Sequence, residues 1–258
     1  AHEDLSANVV SGGSWNFINS TTNPTSSSTT GDHGTSVSGL IAMAKNGTGG
    51  IGVAPNVSLK GFNFISGQST PNNLASLGGS SASPNSSDVA VFNQSYGYSN
   101  TADFLVGTTI EAQYASGSST LRGGKGALYV KSAGNGFSNL GSTGNCSAAT
   151  SIGVSCQNAN FDPYNTLPYN IVVAALNAKG KKTSYSTAGS AIWASAPGGE
   201  YGYNSTVTSG LSAVTYDPAM VTTDQSGCTN GYSRTAATSS LFSKGGFNLS
   251  SINSNCNY

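Results

Sequence analysis

Two histidines occur in this chain of 258 residues, and His33 is placed as a proton-transfer group would be. It stands in the run Asp32-His33-Gly34-Thr35-Ser36-Val37-Ser38-Gly39-Leu40-Ile41-Ala42. Val37, Leu40, Ile41 and Ala44 recur at helical spacing, which predicts a short helix with one face built for burial. Gly34, Ser36, Ser38, Gly39 and Ala42 are small, so a neighbouring element can approach this helix closely. Gly47, Gly49 and Gly50 end it, and Gly52-Val53-Ala54-Pro55 leads into a new extended run. An imidazole at a helix N-terminus is rigidly aimed, and its ordinary pKa of about 6.5 lets it take up and return a proton near neutrality. A surface histidine beside a helix cap has the same local signature, so the other motifs decide.

Three further segments put polar side chains next to apolar runs. Asn93-Gln94-Ser95-Tyr96-Gly97 follows the run that begins at Asp88, and Lys131-Ser132-Ala133-Gly134-Asn135-Gly136 closes the run from Ala127. Asn160-Phe161-Asp162-Pro163-Tyr164-Asn165-Thr166-Leu167-Pro168-Tyr169 comes just before the run from Asn170. In doubly wound sheets, ligands bind outside the carboxyl ends of strands. Each segment alone also reads as a turn. Asp162 in particular is either the cap of a turn before Pro163 or a carboxylate that meets a basic side chain.

In this order the motifs resemble the subtilases, the subtilisin-like serine endopeptidases. The histidine block of that family reads His-Gly-Thr-x-x-Ala-Gly and is followed by Gly-Val-Ala-Pro, and Ser38 here stands where alanine is usual. The resemblance makes His33 the general base. It makes Ser95, Tyr96 and Gly97 the extended segment that pairs with a substrate chain like an added strand. Asn135 falls in the Ala-Gly-Asn block, whose amide donates to the developing oxyanion; an uncharged donor does this without being titrated. Asp162 and Tyr169 keep the offset of the Asp-Gly-Tyr-x-x-x-x-Tyr stretch of the kexin and furin branch, which implies that Asp162 faces a basic side chain before the scissile bond. The partner aspartates of that branch are absent, since Gly97-Tyr98-Ser99-Asn100 follows.

The resemblance also implies calcium. His2-Glu3-Asp4-Leu5 is similar to a segment whose aspartate is a calcium ligand, and Asn46-Gly47-Thr48-Gly49-Gly50 is similar to its partner loop. Asp4, Asn46, Thr48 and Gly50 are the implied ligands, an all-oxygen set of the kind calcium takes. The same loop also reads as a metal-free Asn-Gly turn after a helix.

Two members of the Asp, His, Ser triad are not matched. The one Gly-Thr-Ser is 34–36, inside the histidine block, and Ser36 should point along the helix. Asp32 adjoins His33 and diverges from it, whereas a triad carboxylate must reach the far ring nitrogen. The expectation is therefore a partial catalytic domain, with the aspartate before Ala1 and the serine after Tyr258. The stretch alone is expected to be inactive.

Positioning these residues calls for an α/β fold. Residues 57–64, 88–95, 127–133, 170–176 and 192–198 read as strands, the last four as buried ones. Trp15 and Phe17 alternate like a half-buried strand, 101–116 reads as a helix, and 66–87 holds at most one helical turn around Leu74 and Leu77. The region beyond Gly199 is loop-rich. The expected architecture is a doubly wound, mostly parallel sheet flanked by helices, in one domain spanning 1–258.

Composition narrows the function classes. Lys and Arg total 10 and Asp and Glu total 10, so the net charge of zero excludes an electrostatic case for nucleic acid or an anionic membrane. No apolar run approaches the ~18 residues of a membrane span. Four cysteines in a chain rich in Ser, Asn and Gly point to secretion and disulfides, with Cys146–Cys156 and Cys228–Cys256 favoured among three connectivities. The reading is thus a secreted, monomeric endopeptidase acting on protein or peptide substrates, with a structural calcium. The alternative is an inactive homologue that only binds peptides.

Overall fold

The computed structural model describes residues 2–29, 31–80, 83–137, 151–152, 155–204, 214–215, 217–227, 229–232 and 256–258. In chain order the elements are β1 (Trp15–Asn16), α1 (His33–Ala42), β2 (Phe62–Asn63), α2 (Thr70–Ser76), β3 (Val91–Gln94), α3 (Thr108–Gly124), β4 (Leu128–Ser132), β5 (Asn170–Leu176), β6 (Ala194–Pro197), β7 (Tyr203–Asn204) and β8 (Val214–Thr215). They fall into two compact units, Ala1–Gly67 with Tyr201–Tyr258, and Gln68–Glu200.

In the first unit α1 is the organising element. Asp32 is its N-cap, with extended backbone and a side chain that accepts from the Gly34 N–H at 3.1 Å. The carbonyls left over at its C-terminal end are satisfied by the glycine-led run: Leu40, Ile41 and Met43 accept from the N–H groups of Val53, Ala54 and Gly52. Gly52 has no room for a side chain, since a Cβ there would lie 2.6 Å from the Ala42 nitrogen. The buried helix positions are Gly39 and Ala42, while Val37, Leu40 and Ile41 are half-buried, so the apolar periodicity misplaced the inner face. Close backbone approach decides it: Thr222 and Thr223 press on Gly39, and the Thr223 hydroxyl donates to the Thr35 carbonyl at 2.7 Å.

β1 and β2 pair in parallel, so the strand expected over 57–64 is two residues long, with a single bridge from Leu59 to Val9. The alternation at β1 is also inverted. Asn16 is buried and Trp15 and Phe17 are half-buried, because Asn16 Oδ1 accepts from the Ile18 N–H and so can be kept inward. β7 and β8 form a short antiparallel pair in the loop-rich region.

The second unit carries a four-stranded, all-parallel sheet of order β3-β4-β5-β6. β5 matches the predicted strand, but β3 lies at a sheet edge among the described strands and β6 is exposed throughout, not buried. Phe92 and Gln94 pair in register with Tyr129 and Lys131, so these four side chains share one face, and all are buried. α3 packs there. Its Tyr114 meets the Tyr129 ring at 4.7 Å and donates to Gln94 Oε1 at 2.6 Å. The Tyr129 hydroxyl reaches over Gly117 to the Leu77 carbonyl. Ala133, Ala159, Val172 and Ala174 form a further core cluster.

Two helix expectations needed correction. α2 is seven residues long, longer than one turn, with Ser69 as a capping side chain and a proline in its first turn. α3 starts at Thr108, where the Gly107 carbonyl accepts from Ile110 and Glu111, and the residues before it leave Phe104 and Leu105 exposed. Helical dihedrals stop at Leu121, and Arg122 and Gly123 take positive φ. Cys156 and Cys256 each take part in a disulfide, and Cys146 and Cys228, their expected partners, lie outside the described residues. No helix among the described residues is long and apolar enough to cross a membrane.

Candidate active site

The second unit gathers the residues that the strand-end motifs singled out. Ser95, Tyr96, Gly97, Ser132, Asn135 and Asp162 all line one cavity of about 140 Å³ beyond the carboxyl ends of β3 and β4. That is roughly the space an aromatic ring occupies. Parallel strands in register deliver their ends to the same edge of the sheet, which is why two segments so far apart in sequence meet.

Asn135 owes its position to the turn after β4. Gly134 has φ of +100°, a conformation that favours glycine, and the chain turns there so that Asn135 is exposed. The turn is held by Thr187. Its N–H donates to the Gly134 carbonyl at 2.9 Å, and its Oγ1 accepts from the buried Gly136 N–H at 2.8 Å. The exposed carboxamide thus sits on a loop fixed on both sides.

Asp162 is 5% exposed and its carboxylate is held from three directions. Oδ1 accepts from the Tyr164 N–H at 3.0 Å, the turn cap expected ahead of a proline. Oδ2 accepts from the Tyr98 N–H at 3.0 Å and from Lys131 Nζ at 2.7 Å. Lys131 Nζ also donates to the Tyr96 carbonyl at 2.8 Å. Burial pulls the Lys131 ammonium below its ordinary 10.5, against the opposing pull of Asp162. Tyr96 and Tyr164 are pushed up from 10.0, mainly by burial. Asp162 therefore caps the turn, and it lines the cavity with the chain's own Lys131 as its basic partner.

His33, in the other unit, is exposed and is the first residue of α1, as the pattern predicts. Asp32 spends its carboxylate on the Gly34 N–H, in keeping with its exclusion as the histidine's partner. At Asp4 the chain brings together two of the segments assigned to calcium. Asp4 is fully buried, and its Oδ2 accepts from the Gly50 N–H at 3.1 Å and from the Tyr258 hydroxyl at 3.2 Å. Its Oδ1 has no hydrogen-bond partner among the described residues. Asn46 Oδ1 accepts from the Thr48 N–H, as a metal-free turn also would. Asp4 thus touches the 46–50 loop through Oδ2 and keeps a buried Oδ1 without a hydrogen-bond partner among the described residues, an oxygen of the kind a hard cation takes, although no group of three or more His, Cys, Asp or Glu gathers among them.

Sequence reasoning missed Lys131 and Thr187. Lys131 had a legible signal: in Leu128-Tyr129-Val130-Lys131-Ser132-Ala133 it takes an inward position of an apolar strand, which demands a buried partner. Thr187, in a Ser- and Thr-rich loop, had none.

The model of the subtilase family matches residues 1–240. This chain belongs to the subtilase family. Among named relatives of the subtilase chain, the extracellular serine protease of Aeromonas sobria is 42% identical over 244 residues, covering 91% of this chain and 36% of that protein. Kexin of Saccharomyces cerevisiae is 29% identical over 212 residues, or 80% of this chain and 24% of kexin. The solved structure of the A. sobria serine protease with its chaperone matches with a TM-score of 0.79 and 36% identity, over all of this chain and 41% of that one. The subtilase chain thus spans about two-fifths or less of these relatives.

Proposed function

We propose that the intact protein is a secreted, monomeric serine endopeptidase, and that this chain supplies its general base, oxyanion donor and peptide-binding edge. The triad aspartate and the nucleophilic serine lie outside the 258 residues in this reading. His33 takes the proton of the serine hydroxyl as that oxygen attacks the scissile carbonyl. The Asn135 carboxamide donates to the oxygen on which negative charge develops. His33 then returns the proton to the departing amine, leaving an acyl-enzyme, and water repeats the sequence to release the acid. Segment 95–97 aligns the peptide by backbone hydrogen bonds, and in this reading Asp162 borders the subsite for the side chain before the scissile bond. A calcium held by Asp4 and the 46–50 loop would brace the N-terminal segment and takes no part in a chemical step.

The observation that carries this reading is the convergence of 95–97, Asn135 and Asp162 on one cavity at the sheet's carboxyl edge. The test is active-site labelling of the full-length protein with a serine-directed phosphonate, alongside hydrolysis of fluorogenic peptides. The expected result is stoichiometric labelling at a serine outside this chain, with peptide cleavage. A full-length protein that neither labels nor cleaves is instead an inactive, peptide-binding homologue.

A further inference from the structure

We propose that Lys131 is a specificity-determining residue, an internal cation that neutralises Asp162 and keeps the cavity from selecting strongly for a basic side chain. The geometry is that of a built-in occupant. Lys131 Nζ sits 2.7 Å from Asp162 Oδ2, with both side chains almost wholly buried. Lys131 is not part of the cavity lining, so it meets the carboxylate from within the protein while Asp162 still borders the cavity. With the Tyr98 and Tyr164 N–H groups, three of the roughly four acceptor positions of the carboxylate are filled. An arriving guanidinium or ammonium therefore meets an ion pair of zero net charge in place of a free anion.

The arrangement is enforced by its surroundings. A Cβ on Gly97 would lie 2.6 Å from Lys131 Nζ and would collide with Asp162 Oδ2, so glycine at 97 is what admits the pair beneath the peptide-binding segment. The second Lys131 hydrogen bond, to the Tyr96 carbonyl, ties the same ammonium to that segment. Removing the charge of Lys131 leaves the Asp162 carboxylate with two backbone N–H donors and no cation. The carboxylate then becomes a free anion at the cavity wall.

The inference rests on the endopeptidase reading for its kinetic readout, so a binding measurement accompanies it. In the full-length protein, Lys131→Met is expected to raise the ratio of kcat/KM for arginine over norleucine before the scissile bond by about tenfold or more. Its affinity for benzamidine, measured by calorimetry, should rise by a similar factor, and this needs no catalysis. Lys131→Gln keeps N–H donors and loses only charge, and should behave as Lys131→Met does. The double variant Lys131→Met/Asp162→Asn leaves no unpaired charge and is the one to read if the single variants do not fold. Its benzamidine affinity and its ratio should show none of the rise seen in the single variants, because a neutral pair has been exchanged for a neutral pair. Unchanged affinity in both single variants, or an equal rise in the double variant, overturns the assignment. A protein that cleaves no peptide yet gains benzamidine affinity in Lys131→Met retires the endopeptidase reading and leaves the role of Lys131 standing.

Discussion

Thr187 and Gly134 are joined by a 2.9 Å hydrogen bond from the threonine N–H to the glycine carbonyl, and the same threonine accepts from Gly136 through its hydroxyl. One residue thus brackets the loop that carries Asn135. Thr187→Val keeps the backbone bond and the shape but leaves the buried Gly136 N–H unpaired, at a cost of about 1–3 kcal/mol of stability. On the proposed activity of the full-length protein, kcat should fall with little change in KM, and Thr187→Ser should restore it. Asn135→Ala sets the scale of the loss, since removing one oxyanion donor costs about 10²–10³ in kcat, the established value for subtilisin. Equal kcat in Thr187→Val and the unsubstituted enzyme would separate Thr187 from catalysis.

The Lys131–Asp162 pair predicts an asymmetry in stability. Lys131→Met strands a buried carboxylate and should cost about 3–5 kcal/mol, whereas Lys131→Met/Asp162→Asn should cost clearly less. Urea unfolding of the two variants checks this. A double variant as unstable as the single one would show that packing, not charge, governs the site.

How much of this was legible in the sequence follows from which forces act locally. The cap at Asp32, the β5 strand and the turn at Asp162 rest on neighbours in the chain and were readable. That 95–97 and Asn135 meet was readable through strand order, because parallel strands present their carboxyl ends together, whereas Asp162 precedes β5 and was assigned to the site only by the resemblance. The inner face of α1 was not. Gly39 is buried by backbone approach of Thr222 and Thr223, a contact about 180 residues distant that no apolar periodicity encodes. Likewise Asn16 is inward because a hydrogen bond satisfies it, not because of its hydropathy.

That helix contact is itself testable. Gly39→Ala places a methyl 2.7 Å from the Thr223 nitrogen and against both threonine hydroxyls, and should destabilise by about 1–3 kcal/mol. Gly34→Ala in the same helix meets nothing closer than 3.4 Å and gains helix propensity, so it should stabilise by up to about 1 kcal/mol. Denaturant midpoints for the pair should move in opposite directions. Movement in the same direction would remove the close-approach account.

The buried phenols set an alkaline limit. Burial pushes Tyr129 from 10.0 to about 12 and pushes Tyr96 and Tyr114 further in the same direction. Each folded value lies above the unfolded one, so the stabilisation is complete below pH 10 and is lost as pH rises through the folded values. Lys131 has the opposite sign. Its folded value lies below 10.5, so its contribution improves as pH rises towards that value. Urea midpoints should therefore hold or rise gently up to about pH 10 and then fall, with tyrosinate absorbance from the buried rings appearing only on unfolding. Early ionisation of those rings in the folded protein would contradict their burial.

Calcium is the last expected outcome, and its argument is one of unpaired charge. Asp4 is wholly buried, and its Oδ2 is satisfied by Gly50 and Tyr258 while Oδ1 has no partner among the described residues. A buried carboxylate oxygen left without a partner is costly unless a cation takes the open side. The neighbouring turn offers the Asn46 side-chain oxygen and loop carbonyls, which suit calcium better than a metal that prefers nitrogen or sulfur. Chelation should therefore lower the Tm of the full-length protein. The underlying stability change is roughly 3 kcal/mol when free calcium stands at about 100 times Kd. Asp4→Asn should lower Tm in calcium and abolish its dependence on the chelator, because the amide offers one acceptor oxygen and no charge. A Tm that is the same with and without chelator in the unsubstituted protein rejects calcium.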